Sequence, residues 1–118
     1  MSVKKSVSEF FDIINERDLG KLAEALTDDA RFYFPKTQPL LWKDRIIRFF
    51  KILYRQYPEL AFEVRRTIVQ DPMAAVHWTN RGVNKNQEPY ENEGVTILEM
   101  EGDKIRFISD FFKDTGKF

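Results

Sequence analysis

Asp110 sits where a carboxylate is hardest to explain. It falls between Ile108 and Phe112 on one face of what reads as the last β-strand. A charge there is costly unless it is paired or faces a cavity. An apolar cavity would disfavour the ionised form and raise the pKa, bringing the group towards proton transfer near neutrality. The structural alternative is an outward-facing Asp110, or one in an ion pair with Arg81 or Arg106. Two strands earlier, Trp78 and Asn80 share one parity. Trp78 reads as core or wall, and Asn80 as an amide that either orients a ligand or satisfies a buried neighbour. His77, the single histidine, has the opposite parity and is expected to point away from any pocket. With the parity inverted it would become the natural general base. No second His and no Cys supports a zinc site. Glu91 and Glu93 with Asp110 have the chemistry of a hard-cation site but read better as surface carboxylates.

The elements that must position these residues follow from periodicity. Val3, Val7, Phe10, Phe11 and Ile14 recur at helical spacing and predict an amphipathic helix over about 3–16. Ser6 and Glu9 have capping-box spacing, which would mark a later start. Asp18 reads as the N-cap of a second helix carrying Leu19, Leu22, Ala23 and Leu26, ended by Thr27-Asp28-Asp29. Arg31 to Phe34 reads as a short strand stopped by Pro35, and Lys36 to Leu41 as a loop. A third helix is expected over about 43–57, with an apolar stripe of Ile46, Phe49, Phe50, Leu53 and Tyr57 and a solvated basic face of Arg45, Arg48, Lys51 and Arg55.

After Pro58 the period changes to two. Phe62, Val64 and Ile68 alternate with Glu63, Arg65 and Thr67. Further strands are expected over about 73–84, 90–100 and 104–113, joined by turns at Asp71-Pro72, Lys85–Pro89 and Glu101-Gly-Asp103. The last strand is apolar on both faces, which places it centrally in the sheet. Helices first and an antiparallel meander last define an α+β class.

Composition bounds the rest. The 118 residues suffice for one domain, read as 1–118. Nineteen basic and nineteen acidic residues give no net charge, against the positive excess of a nucleic-acid binder. No apolar run approaches the roughly 18 residues of a membrane-spanning helix. The chain has no Cys, and a cytoplasmic setting is the expectation. Eleven Phe residues suit a core or a greasy cavity.

Five segments, in this order and spacing, give the chain a family resemblance. They are Leu26-Thr-Asp-Asp-Ala-Arg-Phe-Tyr-Phe-Pro35, Ala75-Val-His-Trp-Thr-Asn-Arg-Gly82, Glu93-Gly-Val95, Gly102-Asp-Lys-Ile105 and Ser109-Asp-Phe-Phe-Lys-Asp114. Together they resemble the SnoaL-like polyketide cyclases of the nuclear-transport-factor-like, ketosteroid-isomerase-like superfamily. The resemblance implies a cone-shaped roll, a curved antiparallel sheet wrapped around N-terminal helices. It implies a pocket for a small apolar or cyclic molecule, with Asp110 as general acid/base. Phe34, Trp42 and Trp78 would form walls, and Asn80 and Asn92 would orient polar groups. No metal or organic cofactor is implied. In the limonene-epoxide-hydrolase branch the positions of Trp78 and Asn80 carry Arg and Asp, so the resemblance speaks against epoxide hydrolysis by that triad. Ketosteroid isomerases need a phenol donor, and none of Tyr33, Tyr54 and Tyr57 matches that role.

Two readings follow, since a fold does not fix a reaction. One is an acid/base enzyme of cyclase, isomerase or hydrolase type. The other is a non-catalytic ligand-binding or protein-interaction module. Val95, Ile97, Phe107 and Phe111 on one face of the last two strands oppose Leu98, Met100, Ile108 and Phe112 on the other. One set can fill the cone, and the other predicts a homodimer through the sheet.

Overall fold

The computed structural model describes residues 2–117. Helix α1 (Val3–Glu16) and helix α2 (Leu19–Ala25) precede strand β1 (Leu26–Tyr33) and the short β2 (Leu40–Leu41). Helix α3 (Lys43–Gln56) leads into β3 (Ala61–Gln70), β4 (Met73–Val83), β5 (Pro89–Glu101) and β6 (Lys104–Phe112), and a 3-10 turn (Thr115–Lys117) closes the chain. The six strands form one curved sheet in the order β2-β1-β6-β5-β4-β3. Every pairing is antiparallel except β1 with β6, which is parallel. The twice-apolar β6 lies inside the sheet between β1 and β5.

Each helix buries the stripe its period predicts. Val7, Phe10, Phe11 and Ile14 of α1, Leu22 of α2, and Ile46 and Phe50 of α3 join Leu98, Met100, Ile105 and Ile108 of the sheet in one core. Ser2, not Ser6, caps α1, its hydroxyl accepting from the Lys5 amide, so the helix does not start late. Asp18 caps α2 as expected, accepting from Lys21. Thr27-Asp28-Asp29 does not end α2. The helix stops at Ala25, and those residues begin β1, where the pairing with β6 slips between Leu26 and Arg31 and leaves both Asp residues exposed.

A bulge corrects the reading of β3. Its register with β4 shifts between Val64 and Arg66, so Ile68 pairs with Ala75 on the outer face and is 63% exposed. Thr67 and Val69 turn inward in its place. One extra residue reverses parity for the rest of a strand.

Side chains tie the ends of the helices to the sheet. The Asn15 amide donates to the Phe62 carbonyl and accepts from the Phe62 N–H, both at 2.8 Å, as a neighbouring strand would. Arg17 donates to the carbonyls of Tyr54, Tyr57 and Leu60 and lies over the Tyr54 ring, closing the C-terminal end of α3. The Tyr54 hydroxyl is spent on the Ile14 carbonyl, and burial pushes its pKa up to about 12.

Candidate active site

Three adjacent strands set one row of polar groups into the concave face. Asp110 of β6 lies directly opposite Thr96 of β5, and Trp78 of β4 lies opposite Gly94 of β5. Directly opposed residues share a face, so all point into the cone. A Cβ on Gly94 would stand 2.7 Å from the Trp78 ring and 2.5 Å from the Phe111 carbonyl oxygen. The bare glycine therefore lets the indole lie across β5. The Trp78 Nε1–H donates to the Thr96 Oγ1 at 2.8 Å, and the Thr96 hydroxyl donates to the Asp110 Oδ1 at 2.6 Å. An indole only donates, so the Thr96 proton is directed at the carboxylate.

Asp110 borders a cavity of about 20 Å³ shared with Phe10, Phe11, Ile14, Phe32, Phe50, Phe62, Thr96 and Ile108. Among the described residues no cation pairs with it. Arg106, one of the two arginines considered for that role, is held by Glu99 and Glu101 instead. Burial pushes the Asp110 carboxyl up to about 7 from 3.8, opposed only by the Thr96 hydrogen bond. The carboxyl can therefore hold or release a proton near neutrality. With Oδ1 accepting from Thr96, Oδ2 is the oxygen available to exchange it.

Above this compartment a wider hollow of about 400 Å³ opens between α3, the loop after β1 and the ends of β3 to β6. Phe34, Phe49, Leu53, Tyr57, Phe62 and Phe112 are among its walls, and Asn80 and Tyr90 add polar atoms. The volume is within the range of small-molecule sites. Phe34 packs on Phe49 and Phe112 at ring distances of 4.8 and 5.2 Å. Asn80 is 4% exposed, and its Oδ1 finds no partner among the described residues. Burial raises the Tyr90 pKa, partly offset by its hydrogen bond with Asn92.

The remaining sequence expectations fall as follows. Trp78 is fully buried and acts beneath Thr96 rather than as a wall of the hollow. Asn92 is not available to a ligand. Its amide donates to the Asp114 carbonyl and the Tyr90 hydroxyl and accepts from the amides of Glu93 and Asp114, pinning the C-terminal segment. Trp42 is no wall either. It stands 60% exposed at the start of α3 and lines neither compartment. His77 points outward, as its parity predicted, and pairs with Glu93, which also meets Lys113. No cluster of His, Cys, Asp or Glu among the described residues could hold a metal. No described helix is long and apolar enough to cross a membrane. Thr96 and Phe62 line the compartment beside Asp110, although the sequence reading did not single out Thr96 and took Phe62 only as a strand residue. A signal existed for Thr96, a polar residue at the inward parity between Gly94 and Leu98.

A six-stranded curved sheet folded over three helices around an apolar hollow is the nuclear-transport-factor-like architecture. Residues 7–108 match the SnoaL-like domain family, and the chain belongs to that family. No curated protein matches it. Solved structures share the fold. An NTF2-like protein of unknown function from Burkholderia pseudomallei superposes with a TM-score of 0.89 at 22% identity, covering 98% of this chain and 94% of its own. TerC, crystallised with polyporic acid, reaches 0.86 at 16% identity over 97% and 92%. SalBIII, an epoxide hydrolase/cyclase-like enzyme in pyran ring formation in the polyether salinomycin, reaches 0.86 at 17% identity over 98% and 92%.

Proposed function

We propose that the protein is an acid/base enzyme acting on a small apolar or cyclic molecule held in the hollow, with Asp110 as the proton-transfer group. The observation that carries this reading is an uncompensated carboxyl, held by a single hydroxyl, in a small aromatic-lined compartment that shares Phe62 with the wider hollow. Phe34 serves as a wall, and Asn80, whose buried Oδ1 lacks a partner, orients a hydroxyl or amine of the ligand. The neighbours that act in pyran ring formation or were crystallised with polyporic acid lend support by analogy of fold alone.

The test is a screen of cyclic ketones, enolisable carbonyls and hydroxylated polycyclic compounds against the parent and Asp110→Asn side by side. Conversion by the parent and not by the variant supports the reading. Equal retention by both without conversion would leave a binding protein.

The homodimer belongs to the same proposal. Ile68, Ala75 and Ile97 form a row across three strands of the outer face, and Val95 lies directly opposite Phe111, itself 58% exposed. These apolar residues share the outer face with Arg66, His77 and Ser109, and grouped exposure of this kind calls for cover. A cytoplasmic setting is proposed with it, and cell fractionation tests that.

A further inference from the structure

The compartment that Asp110 borders measures about 20 Å³, room for about one water and no substrate. The hollow above it measures about 400 Å³. Phe62 is the one residue that lines both. Its ring lies 6.2 Å from that of Phe11 and edge-on to Trp78 at 5.0 Å. Both backbone groups of Phe62 are fastened by Asn15, and β3 is the edge strand with β4 as its single neighbour. Movement at this point is therefore a swing of the ring rather than of the strand. The space the ring would vacate is bounded by the faces and edges of other aromatic rings, which favours a flat ring over a puckered one.

We propose that Phe62 is a specificity-determining partition, whose ring must leave the space between Phe11 and Trp78 before a ligand in the outer hollow reaches Asp110, and that the ligands admitted are led by a flat aromatic ring. The inference rests on the reading of Asp110 as the acid/base group. It adds a residue that decides which molecules meet that group.

The test uses phenol and cyclohexanol, similar in size but planar and puckered respectively, with benzene and cyclohexane as the matched pair that lacks a hydroxyl. Each is titrated into the full chain, and the dissociation constant is read from the amide NMR signals of Thr96 and Asp110. Phe62→Ala should bind phenol at those signals about tenfold more tightly than the parent, as expected when a ring-sized apolar space is opened. Phe112→Ala, which removes a ring that also packs on Trp78 but lines only the outer hollow, should not. Within Phe62→Ala, phenol should bind about fivefold more tightly than cyclohexanol. Should Phe62→Ala not fold, Phe62→Leu must show the same direction. Equal effects of Phe62→Ala and Phe112→Ala, unchanged phenol binding, or no preference for phenol would overturn the proposal. Failure here is distinct from failure of the acid/base reading. A parent Asp110 titrating near the ordinary carboxylate range would defeat that reading whatever phenol does.

Discussion

Replacing Asp110 by Asn keeps the side chain's shape and removes its charge, so the cost of the buried carboxylate can be measured without a substrate. The carboxyl is raised from 3.8 to about 7 in the folded chain. Between those values the unfolded chain has released its proton and the folded chain has not, so stability falls as pH rises. Below 3.8 the group costs nothing, and above about 7 its cost is complete. At about 1.4 kcal/mol per pH unit the full cost is about 4 kcal/mol, of which about 2 kcal/mol has developed by pH 5. These are upper figures, because the residue keeps some solvent contact. The Asn variant lacks this slope. Its Nδ2 needs an acceptor and costs stability of its own, but by the same amount at every pH. Every other titratable group is common to both proteins and cancels. The quantity to read is therefore the stability of Asp110→Asn minus that of the parent, from urea unfolding at pH 5 and pH 8. It should grow by about 2–3 kcal/mol in favour of the variant across that interval. A flat difference, or one that moves against the variant as pH rises, would show that the charge is stabilised in the fold and that Asp110 is a structural anion.

Thr96→Val removes the single hydrogen bond that lowers the Asp110 pKa and strands the Trp78 N–H. The carboxyl should titrate above its parent value by ¹³C NMR, and unfolding should cost about 1–3 kcal/mol less. Gly94→Ala drives a methyl group to 2.5 Å from the Phe111 carbonyl oxygen and 2.7 Å from the Trp78 ring, so a loss of about 2–3 kcal/mol in urea unfolding is expected, together with a changed tryptophan emission. Phe111→Glu puts a charge opposite Val95 on the outer face and should convert the proposed dimer to a monomer in sedimentation, with the fold intact by circular dichroism.

What the sequence made legible was set by local periodicity. The stripes of α1 and α3, the Asp18 cap, the outward parity of His77 and the inner place of β6 follow from spacings within one segment. The misread parts depend on segments far apart in the chain. The outward turn of Ile68 comes from a bulge that exists only in the register of β3 against β4. Asn92 carries amide chemistry suited to a ligand, but the backbone of Asp114, twenty-two positions later, consumes it. Trp42 has the composition of a wall, yet the chain turns at the start of α3 and leaves it outside. Thr96 was overlooked because a β-branched residue in a strand needs no explanation until the partner strands place an indole on one side of it and a carboxyl on the other. Phe62 read as one more apolar strand residue, and its position between two compartments depends on rings supplied by α1 and β4.

The identities of Trp78 and Asn80 then restrict the chemistry that the proposed site can perform. Among the described residues lining the inner compartment, Asp110 is the one that carries a charge. A substrate anion formed there would meet no cation, and in a medium of low polarity an unpaired second charge is strongly disfavoured. The groups that remain are dipoles: the Thr96 hydroxyl, the Trp78 N–H behind it and, in the outer hollow, the Asn80 amide. Dipoles of this kind can hold a neutral oxygen or a partial charge in place. The site therefore suits reactions in which Asp110 moves one proton while the total charge inside stays constant, such as shifting a proton between two atoms of one ligand or protonating a leaving or ring oxygen as a bond closes elsewhere in the same molecule. Activation of a water to a free hydroxide does not fit the proposed site, because the hydroxide would be a second charge with no cation among the described residues lining the compartment.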